Sequence, residues 1–351
     1  MPGIVTTPIE DRFAWRASDF DTLDSVAVAL TGEQRNSLVE MARGVRREGR
    51  AWSDLTASEE ALPQLAATLA KVRREVYRGR GLVLLRGLPM DALDEDEAAI
   101  VSWAVGSHFG RRATQSALGD KLGRVEVDPN LQQAWRGYRS ANRSRFHTDH
   151  LDGLALVCVR PAGEGGESCA VSAAAIHNVL AAERPDLLPV LYAGFPMAWF
   201  GEPPMPGEKV TDRDVPVFSW SDGRLVCVML PSYQKAAAEE TGVPLPQGFA
   251  EACGLIHEIA ERDGMALKFK MAAGDMLVVD NKAVLHGRAA FAEQPGDIGR
   301  RLLYRLQFEL LPGRPMHPGV ACYYGGLKHA YHDDPASLPP WPQAGVALPA
   351  G

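Results

Sequence analysis

Apolar residues recur at helical spacing in the first third of the chain. The run from Leu38 to Val45 has apolar side chains three or four positions apart, the spacing of one helix face. Thr31 and Gln34 precede it in the pattern of a capping box, in which the two side chains satisfy free backbone amides. We therefore predict helices over residues 32–48, 62–77 and 94–109.

Short apolar runs typical of β-strands dominate the chain after residue 81. The first, Leu82 to Leu85, ends at Gly87 and Pro89, residue types that terminate strands. Further strands are predicted over residues 124–127, 154–159, 168–172, 215–220, 224–229, 267–271, 275–280 and 301–310. We expect only two helices to interrupt these later strands, near 173–182 and 246–262.

Short strands with long excursions, and no regular alternation of strand and helix, favour a jelly-roll over a doubly wound sheet. We therefore predict a mostly β fold with helical additions: a double-stranded β-helix (jelly-roll) barrel flanked by N-terminal and inserted helices. No repeat or linker stands out, so residues 1–351 are predicted to form a single domain. Its expected parts are a mainly helical N-terminal flank (about 1–80), a jelly-roll core (about 81–312) and a C-terminal tail (313–351).

Composition and charge argue against two classes of binding partner, nucleic acids and membranes. The formal net charge is -7 and no long basic run occurs, so a nucleic-acid partner is not expected. The longest apolar runs are too short to cross a bilayer, and no membrane partner is expected. The chain contains five scattered cysteines and no CxxC pair. That pattern is typical of reduced thiols, so we expect a cytoplasmic location.

The sharpest chemical feature is the tetrapeptide Phe146-His147-Thr148-Asp149. Residues two apart on a strand point the same way, so the His147 imidazole and the Asp149 carboxylate can share one metal ion. Two histidines and one carboxylate on one face of an octahedron leave positions open for Fe(II) oxygen chemistry. Taken alone, the pair is better explained by a surface histidine beside a capping aspartate.

A candidate third ligand, His286, stands late in the chain. It follows an apolar run between Asp275 and Asp280 that predicts a strand. Antiparallel pairing in a barrel would bring the far end of this strand beside His147. The alternative is a structural histidine that caps a turn.

Arginines alternate along the last predicted strand. Arg301, Leu303 and Arg305 share one face, which would point into the barrel. An inward arginine is costly unless it meets an anion, and its guanidinium suits a carboxylate. Ser168 follows a glycine turn and could donate to the same carboxylate, although ordinary turn chemistry also explains it. Solvent-facing arginines remain an alternative.

Together these motifs, in this order, resemble the taurine dioxygenase and 2,4-dichlorophenoxyacetate dioxygenase (TauD/TfdA) family of the clavaminate-synthase-like superfamily. The resemblance covers nearly the whole chain. It rests on residues 15–18, 81–87, 146–149, 160–168, 171–178, 216–220 and 285–291. It implies that His147, Asp149 and His286 bind Fe(II). It also implies that Arg301, with Ser168, binds the far carboxylate of 2-oxoglutarate, while Arg305 faces the metal-side carboxylate or the substrate.

The resemblance also implies the reaction. Fe(II), 2-oxoglutarate and O2 would be used to hydroxylate, desaturate or cyclise an unactivated C–H bond of a small-molecule metabolite, with release of succinate and CO2. Halogenating relatives lack the carboxylate ligand, so Asp149 disfavours halogenation. Ser168 replaces the usual threonine, and Gln307 stands where an aromatic residue is common. We expect a role in secondary metabolism.

In relatives the loop before the metal-binding strand borders the substrate pocket and often acts as a lid; here it lies near 128–146. The substrate-binding candidates are Trp135, Tyr138, Arg139, Trp199 and Arg305. Solvated arginines and ordinary aromatic packing explain these residues at least as well.

Two other classes of function stay open on the sequence. A zinc hydrolase would use the same three ligands, although Arg145 stands where the first histidine of an HxHxDH motif belongs. A non-catalytic barrel that only binds its partner would require the triad to be accidental. A homo-oligomer is compatible with either.

Overall fold

The computed structural model describes residues 3–114, 120–127, 141–199, 207–292, 300–310 and 315–330. The strands are β1 (Ala27–Ala29), β2 (Leu82–Arg86), β3 (Arg111–Ala113), β4 (Gly123–Val125), β5 (Ser144–His147), β6 (Gly153–Arg160), β7 (Glu164–Gly165), β8 (Ser168–Ser172), β9 (Phe218–Ser221), β10 (Arg224–Cys227), β11 (Leu267–Phe269), β12 (Met276–Asp280), β13 (Val284–Arg288), β14 (Phe291–Ala292) and β15 (Leu302–Glu309). The α-helices are α1 (Gly32–Arg47), α2 (Ala57–Glu60), α3 (Ala66–Arg78), α4 (Glu95–Gly106), α5 (Ala173–Glu183), α6 (Leu188–Ala193), α7 (Pro231–Thr241), α8 (Phe249–Glu261) and α9 (Pro318–Ala330).

The larger sheet has the strand order β1-β2-β12-β6-β15-β3, and β4 also pairs with β15. Its pairs are antiparallel except β1–β2, which is parallel. Leu302, Leu306 and Phe308 of β15 lie in one buried cluster with apolar residues of α1, α3 and α4. The N-terminal helices therefore cover the outer face of this sheet.

The smaller sheet has the order β11-β8-β13-β5. Val171 and Leu285 on its outer face are buried together with Ile256 of α8. Its inner face carries Ala170, which shares a third apolar cluster with Leu303 of the larger sheet. The two sheets thus pack face to face, and the alternating residues of β8, β13 and β15 point into the space between them.

Most predicted elements form close to their expected bounds. Helix α1 begins with the predicted capping box, in which the Gln34 amide donates to Thr31 Oγ1 at 3.2 Å. The prediction of only two helices among the later strands is wrong, because α6 and α7 also lie there. The sequence of α7 is rich in alanine and charged residues, and a pattern with so few large apolar residues carries little helical signal. The predicted tail contains α9. No helix in the described part of the chain is long and apolar enough to span a bilayer.

Candidate metal centre

Two histidines lie side by side on adjacent strands of the smaller sheet. Strands β5 and β13 are antiparallel neighbours, and His147 lies directly opposite His286 in their register. The centroids of the two rings are 4.5 Å apart. The sequence prediction placed His286 at the far end of the strand that begins near Asp275. It lies instead inside a separate strand, β13, after a turn that carries the chain from the larger sheet to the smaller one.

Asp149 stands two residues beyond His147, just past the end of β5. Its Oδ1 lies 3.7 Å from His147 Nε2, and its Oδ2 lies 4.0 Å from His286 Nε2. One ligand atom from each of the three residues lies within 4.8 Å of the others. The structure therefore brings together the three residues that the sequence singled out as metal ligands.

The electrostatics of the site suit a cation. Burial alone would raise the pKa of Asp149, but the neighbouring Arg305 and His286 hold it well below its ordinary value. Burial lowers the pKa of His286 to about 3. The Nδ1–H of His147 donates to the carbonyl oxygen of Arg145 at 2.8 Å, which leaves Nε2 as the free ring nitrogen. The site thus presents the Asp149 carboxylate and the neutral imidazole of His286, the protonation states in which these groups bind metal ions.

Asn281, in the turn between β12 and β13, holds the aspartate ligand. Its Oδ1 accepts a hydrogen bond from the backbone N–H of Asp149 at 2.8 Å, and its Nδ2 donates to the carbonyl oxygen of Leu151 at 3.0 Å. The backbone N–H of Asn281 donates to the carbonyl oxygen of Asp152 at 2.9 Å. The same turn therefore fixes the segment of the first two ligands and leads into the third. Sequence reasoning missed Asn281; the signal was an asparagine directly after an apolar strand.

Thr148 fixes the segment from its other side. The Thr148 backbone N–H donates to the carbonyl oxygen of Met229 at 3.3 Å, and Met229 N–H donates to Thr148 Oγ1 at 3.0 Å. The side chain between the two ligands therefore points away from them and anchors the strand end.

His150, next to Asp149, is held by two tyrosines. Its Nε2 is hydrogen-bonded to Tyr233 Oη of α7 at 3.1 Å, and its Nδ1 to Tyr323 Oη of α9 at 2.9 Å. The Tyr324 hydroxyl of α9 lies 3.4 Å from the carbonyl oxygen of Asp149, to which it donates. The two helices that the sequence did not predict thus close one side of the metal-binding segment.

Arg305 meets the metal centre. Its Nη1 lies 3.5 Å from Asp149 Oδ2, and only 8% of the residue is exposed. Leu156 lies opposite Arg305 in the register and remains partly exposed although it belongs to a central strand.

Arg301 and Ser168 lie farther along the same interior. Both are buried. The guanidinium of Arg301 lies 5.0 Å from the ring centroid of Phe291, and Ser168 lies opposite Arg288 in the β8–β13 register. Sequence reasoning missed both Arg288 and Phe291, although they follow the His286 ligand within five residues.

The substrate candidates divide into two groups. Trp135, Tyr138 and Arg139 lie outside the described residues, as does most of the expected lid. Trp199 is buried and stacks on Tyr323, with centroids 5.7 Å apart and an interplanar angle of 18°. Trp199 therefore approaches the metal-binding segment through Tyr323 and His150.

The sequence profile of the "Taurine catabolism dioxygenase TauD, TfdA family" matches residues 49–307. The chain belongs to this family. FR-33289 synthase of Streptomyces rubellomurinus is 28% identical over 340 residues, which cover 94% of this chain and 98% of that protein. The taurine hydroxylase-like protein SAT17 of Stachybotrys chartarum is 29% identical over 316 residues, covering 85% of this chain and 79% of that protein.

Solved structures share the fold. Asparagine oxygenase in complex with Fe(II), 2S,3S-3-hydroxyasparagine and succinate matches with a TM-score of 0.63 at 19% identity, over 81% of this chain and 93% of that one. The non-heme iron oxygenase OrfP in complex with Fe and alpha-ketoglutaric acid matches with a TM-score of 0.60 at 16% identity, over 81% and 93% of the two chains. The arrangement of mixed sheets and helices in this chain is therefore shared with these solved structures.

Proposed function

We propose that this protein is an Fe(II)- and 2-oxoglutarate-dependent dioxygenase that hydroxylates an unactivated C–H bond of a small-molecule metabolite. The observation that carries the proposal is the meeting of His147, Asp149 and His286 between the two sheets, with ligand atoms within 4.8 Å of one another. Membership of the TauD/TfdA family supports the same class of reaction. Desaturation or cyclisation would use the same site.

The donor set fits Fe(II). Two imidazole nitrogens and one carboxylate oxygen on one side of an ion leave positions for a co-substrate and O2. When bound, Fe(II) supplies the activation of O2, and 2-oxoglutarate leaves as succinate and CO2. The protein's own part is to hold the three ligands in place, to bind the two organic molecules and to orient the C–H bond.

Two arginines, Arg301 just before β15 and Arg305 within it, would bind the co-substrate. We assign the far carboxylate of 2-oxoglutarate to Arg301 and Ser168, and the metal-side carboxylate or the substrate to Arg305. Arg305 lies beside the ligand Asp149, whereas the Arg301 side chain lies near Gly166 at the other end. Buried guanidinium groups are favourable where they meet a carboxylate, because each can donate two parallel hydrogen bonds.

We propose that the two facing sheets form a double-stranded β-helix (jelly-roll) core, and that residues 1–351 fold as one domain. Three shared apolar clusters support this reading, since each joins elements that are distant in sequence. The loop near 128–146 is proposed as the lid because its end, at β5, carries His147 into the site.

The substrate is proposed to be a small metabolite of secondary metabolism. The names of the two relatives support this, since one is a synthase of FR-33289 and the other is taurine hydroxylase-like. The solved neighbours include complexes of asparagine oxygenase and of OrfP with hydroxylated amino acids. Trp135, Tyr138, Arg139 and Trp199 stay predictions as substrate contacts. The cytoplasmic location, the homo-oligomer and the exclusion of nucleic-acid and membrane partners also stay predictions.

Anaerobic titration tests the proposed function. Purified protein loaded with Fe(II) should give a visible charge-transfer band on addition of 2-oxoglutarate, and His286→Ala should abolish it. Exposure to O2 should then release succinate. A protein that takes up stoichiometric zinc, gives no band and forms no succinate would be a hydrolase or a binding barrel, and the proposal would fail.

A further inference from the structure

Two arginines approach one aromatic ring beside the proposed co-substrate site. The guanidinium carbon of Arg288 lies 4.5 Å from the ring centroid of Phe291, and that of Arg301 lies 5.0 Å from it. Both distances are within the range of cation–π attraction, in which the ring face stabilises a positive charge. Phe291 therefore contacts the arginine that we assign to the far carboxylate of 2-oxoglutarate.

The backbone of Phe291 is held in place on two sides. Strand β14 pairs with β7, which puts Phe291 opposite Gly165. The Phe291 backbone N–H donates to the carbonyl oxygen of Ala141 at 3.1 Å. Arg288, which also lies over the ring, donates through Nη2 to the carbonyl oxygen of Asn142. The ring is thus fixed to the neighbouring segments independently of Arg301.

Arg301 depends on such a support more than the arginines within the strand do. It precedes the first residue of β15, and the β15–β6 register shifts between Leu302 and Leu303. The ladder therefore does not set its side-chain direction in the way that alternation sets that of Arg305. Gly166 leaves room for the side chains of Phe291 and Arg301. A Cβ at this position would lie 3.3 Å from Phe291 Cβ and 3.8 Å from Arg301 Nε.

We propose that Phe291 is a positioning residue for the co-substrate: its ring orients the Arg301 guanidinium toward the far carboxylate of 2-oxoglutarate. The proposal rests on the proposed function and on the assignment of Arg301 within it. The proposal predicts different effects at the two ends of 2-oxoglutarate. Loss of the Phe291 ring should weaken binding of the far carboxylate and leave chelation at the metal end unchanged.

The test compares 2-oxoglutarate with pyruvate, a 2-oxo acid that lacks the far carboxylate. Dissociation constants of both are measured anaerobically on the Fe(II)-loaded protein by the charge-transfer band. Phe291→Leu should weaken 2-oxoglutarate binding by about tenfold and leave pyruvate binding within error of the wild type. Phe291→Tyr keeps the ring and should restore wild-type binding, whereas Phe291→Met keeps apolar contact without a ring and should behave as Phe291→Leu does.

Phe20 offers a matched control. It is also half-buried, and the guanidinium of Arg80 lies 5.1 Å from its ring centroid, so this ring contacts an arginine other than Arg301. Phe20→Leu should change neither dissociation constant. Equal weakening of both 2-oxo acids by Phe291→Leu and Phe291→Met, or no weakening of either, would overturn the positioning role. A wild-type protein that gives no band with 2-oxoglutarate would instead overturn the proposed function itself.

Discussion

Asn281 Oδ1 accepts a hydrogen bond from the backbone N–H of Asp149 across 132 positions of sequence, at 2.8 Å. Asn281 is also five residues upstream of the third ligand, His286, on the turn that connects the two sheets. One buried amide thus connects the two halves of the metal triad. A shift of this turn would move the carboxylate ligand and the strand of His286 together.

Asn281→Ala is expected to lower Fe(II) affinity by about 10- to 100-fold, the usual cost of losing a group that orients a metal ligand. The physical reason is that Asp149 loses the bond that fixes its backbone, so its carboxylate must be ordered when the ion binds. Competition with a chelator under anaerobic conditions measures the affinity.

Asn178 provides the control for Asn281. Its amide makes the same two kinds of bond to a backbone, accepting from Ile9 N–H at 2.8 Å and donating to Ile9 carbonyl oxygen at 3.0 Å, away from the metal centre. Asn178→Ala should cost folding stability without changing Fe(II) affinity. Equal Fe(II) affinities in the two variants would show that Asn281 has only a structural role.

Arg301→Ala is expected to raise the KM for 2-oxoglutarate by roughly 10- to 100-fold, because a charged, two-point hydrogen bond to a carboxylate is lost. Fe(II) affinity should stay near the wild-type value. Arg300 is an exposed neighbour on the chain, and Arg300→Ala should leave both quantities unchanged. Steady-state succinate release gives the KM, and a parallel loss of Fe(II) binding in Arg301→Ala would mean that the arginine is misassigned.

Lys282 and Asp152 form an ion pair in which the two side chains are 2% and 4% exposed. The ammonium lies 4.0 Å from the ring centroid of Tyr324, and Asp152 Oδ2 accepts from Leu310 N–H at 2.9 Å. Lys282→Met should lower the free energy of unfolding by about 3–5 kcal/mol, since it leaves a buried carboxylate without its cation. Urea unfolding measures the change.

The double variant Lys282→Met with Asp152→Asn separates charge from packing. Removal of both charges should recover part of the lost stability, because the cost of Lys282→Met comes mainly from the isolated carboxylate. Additive losses in the double variant would contradict that explanation.

The sequence predicts the parts of this site that depend on local spacing. His147 and Asp149 are two residues apart at a strand end, and Leu303 and Arg305 share one side of β15, so alternation alone puts each pair on one face. Arg301 precedes β15, where the register with β6 shifts, so alternation alone does not fix its direction. The third ligand, His286, does not follow from local spacing. His286 reaches His147 through the β5–β13 register. Its place after an apolar strand made it a candidate ligand, and the resemblance to a family favoured that reading over a histidine that caps a turn.

Contacts between turns that are distant in the chain could not be predicted from the sequence, for a different reason. Asn281 acts through backbone groups of Asp149 and Leu151, and any polar residue in a turn has the same sequence appearance. Helix α9 was missed although its Tyr323 is hydrogen-bonded to His150. A tail helix of this kind takes its stability from the packing of its tyrosines rather than from a strong periodic pattern.

His177 of α5 predicts an acid-sensitive step in stability. It is fully buried, its Nε2 lies 3.0 Å from Tyr192 Oη, and burial lowers its pKa from 6.5 to about 4. The folded state therefore binds this proton less tightly than the unfolded chain does. The contribution of neutral His177 is complete above pH 6.5 and is lost as the pH falls from 6.5 toward 4, at a cost of about 3 kcal/mol. The variant His177→Gln has no imidazole to protonate. Its free energy of unfolding should therefore fall less than that of the wild type as the pH is lowered over this interval. Urea unfolding at a series of pH values gives the difference, which should be constant above about pH 7; parallel curves from pH 7 to pH 4 would show that His177 does not carry the effect.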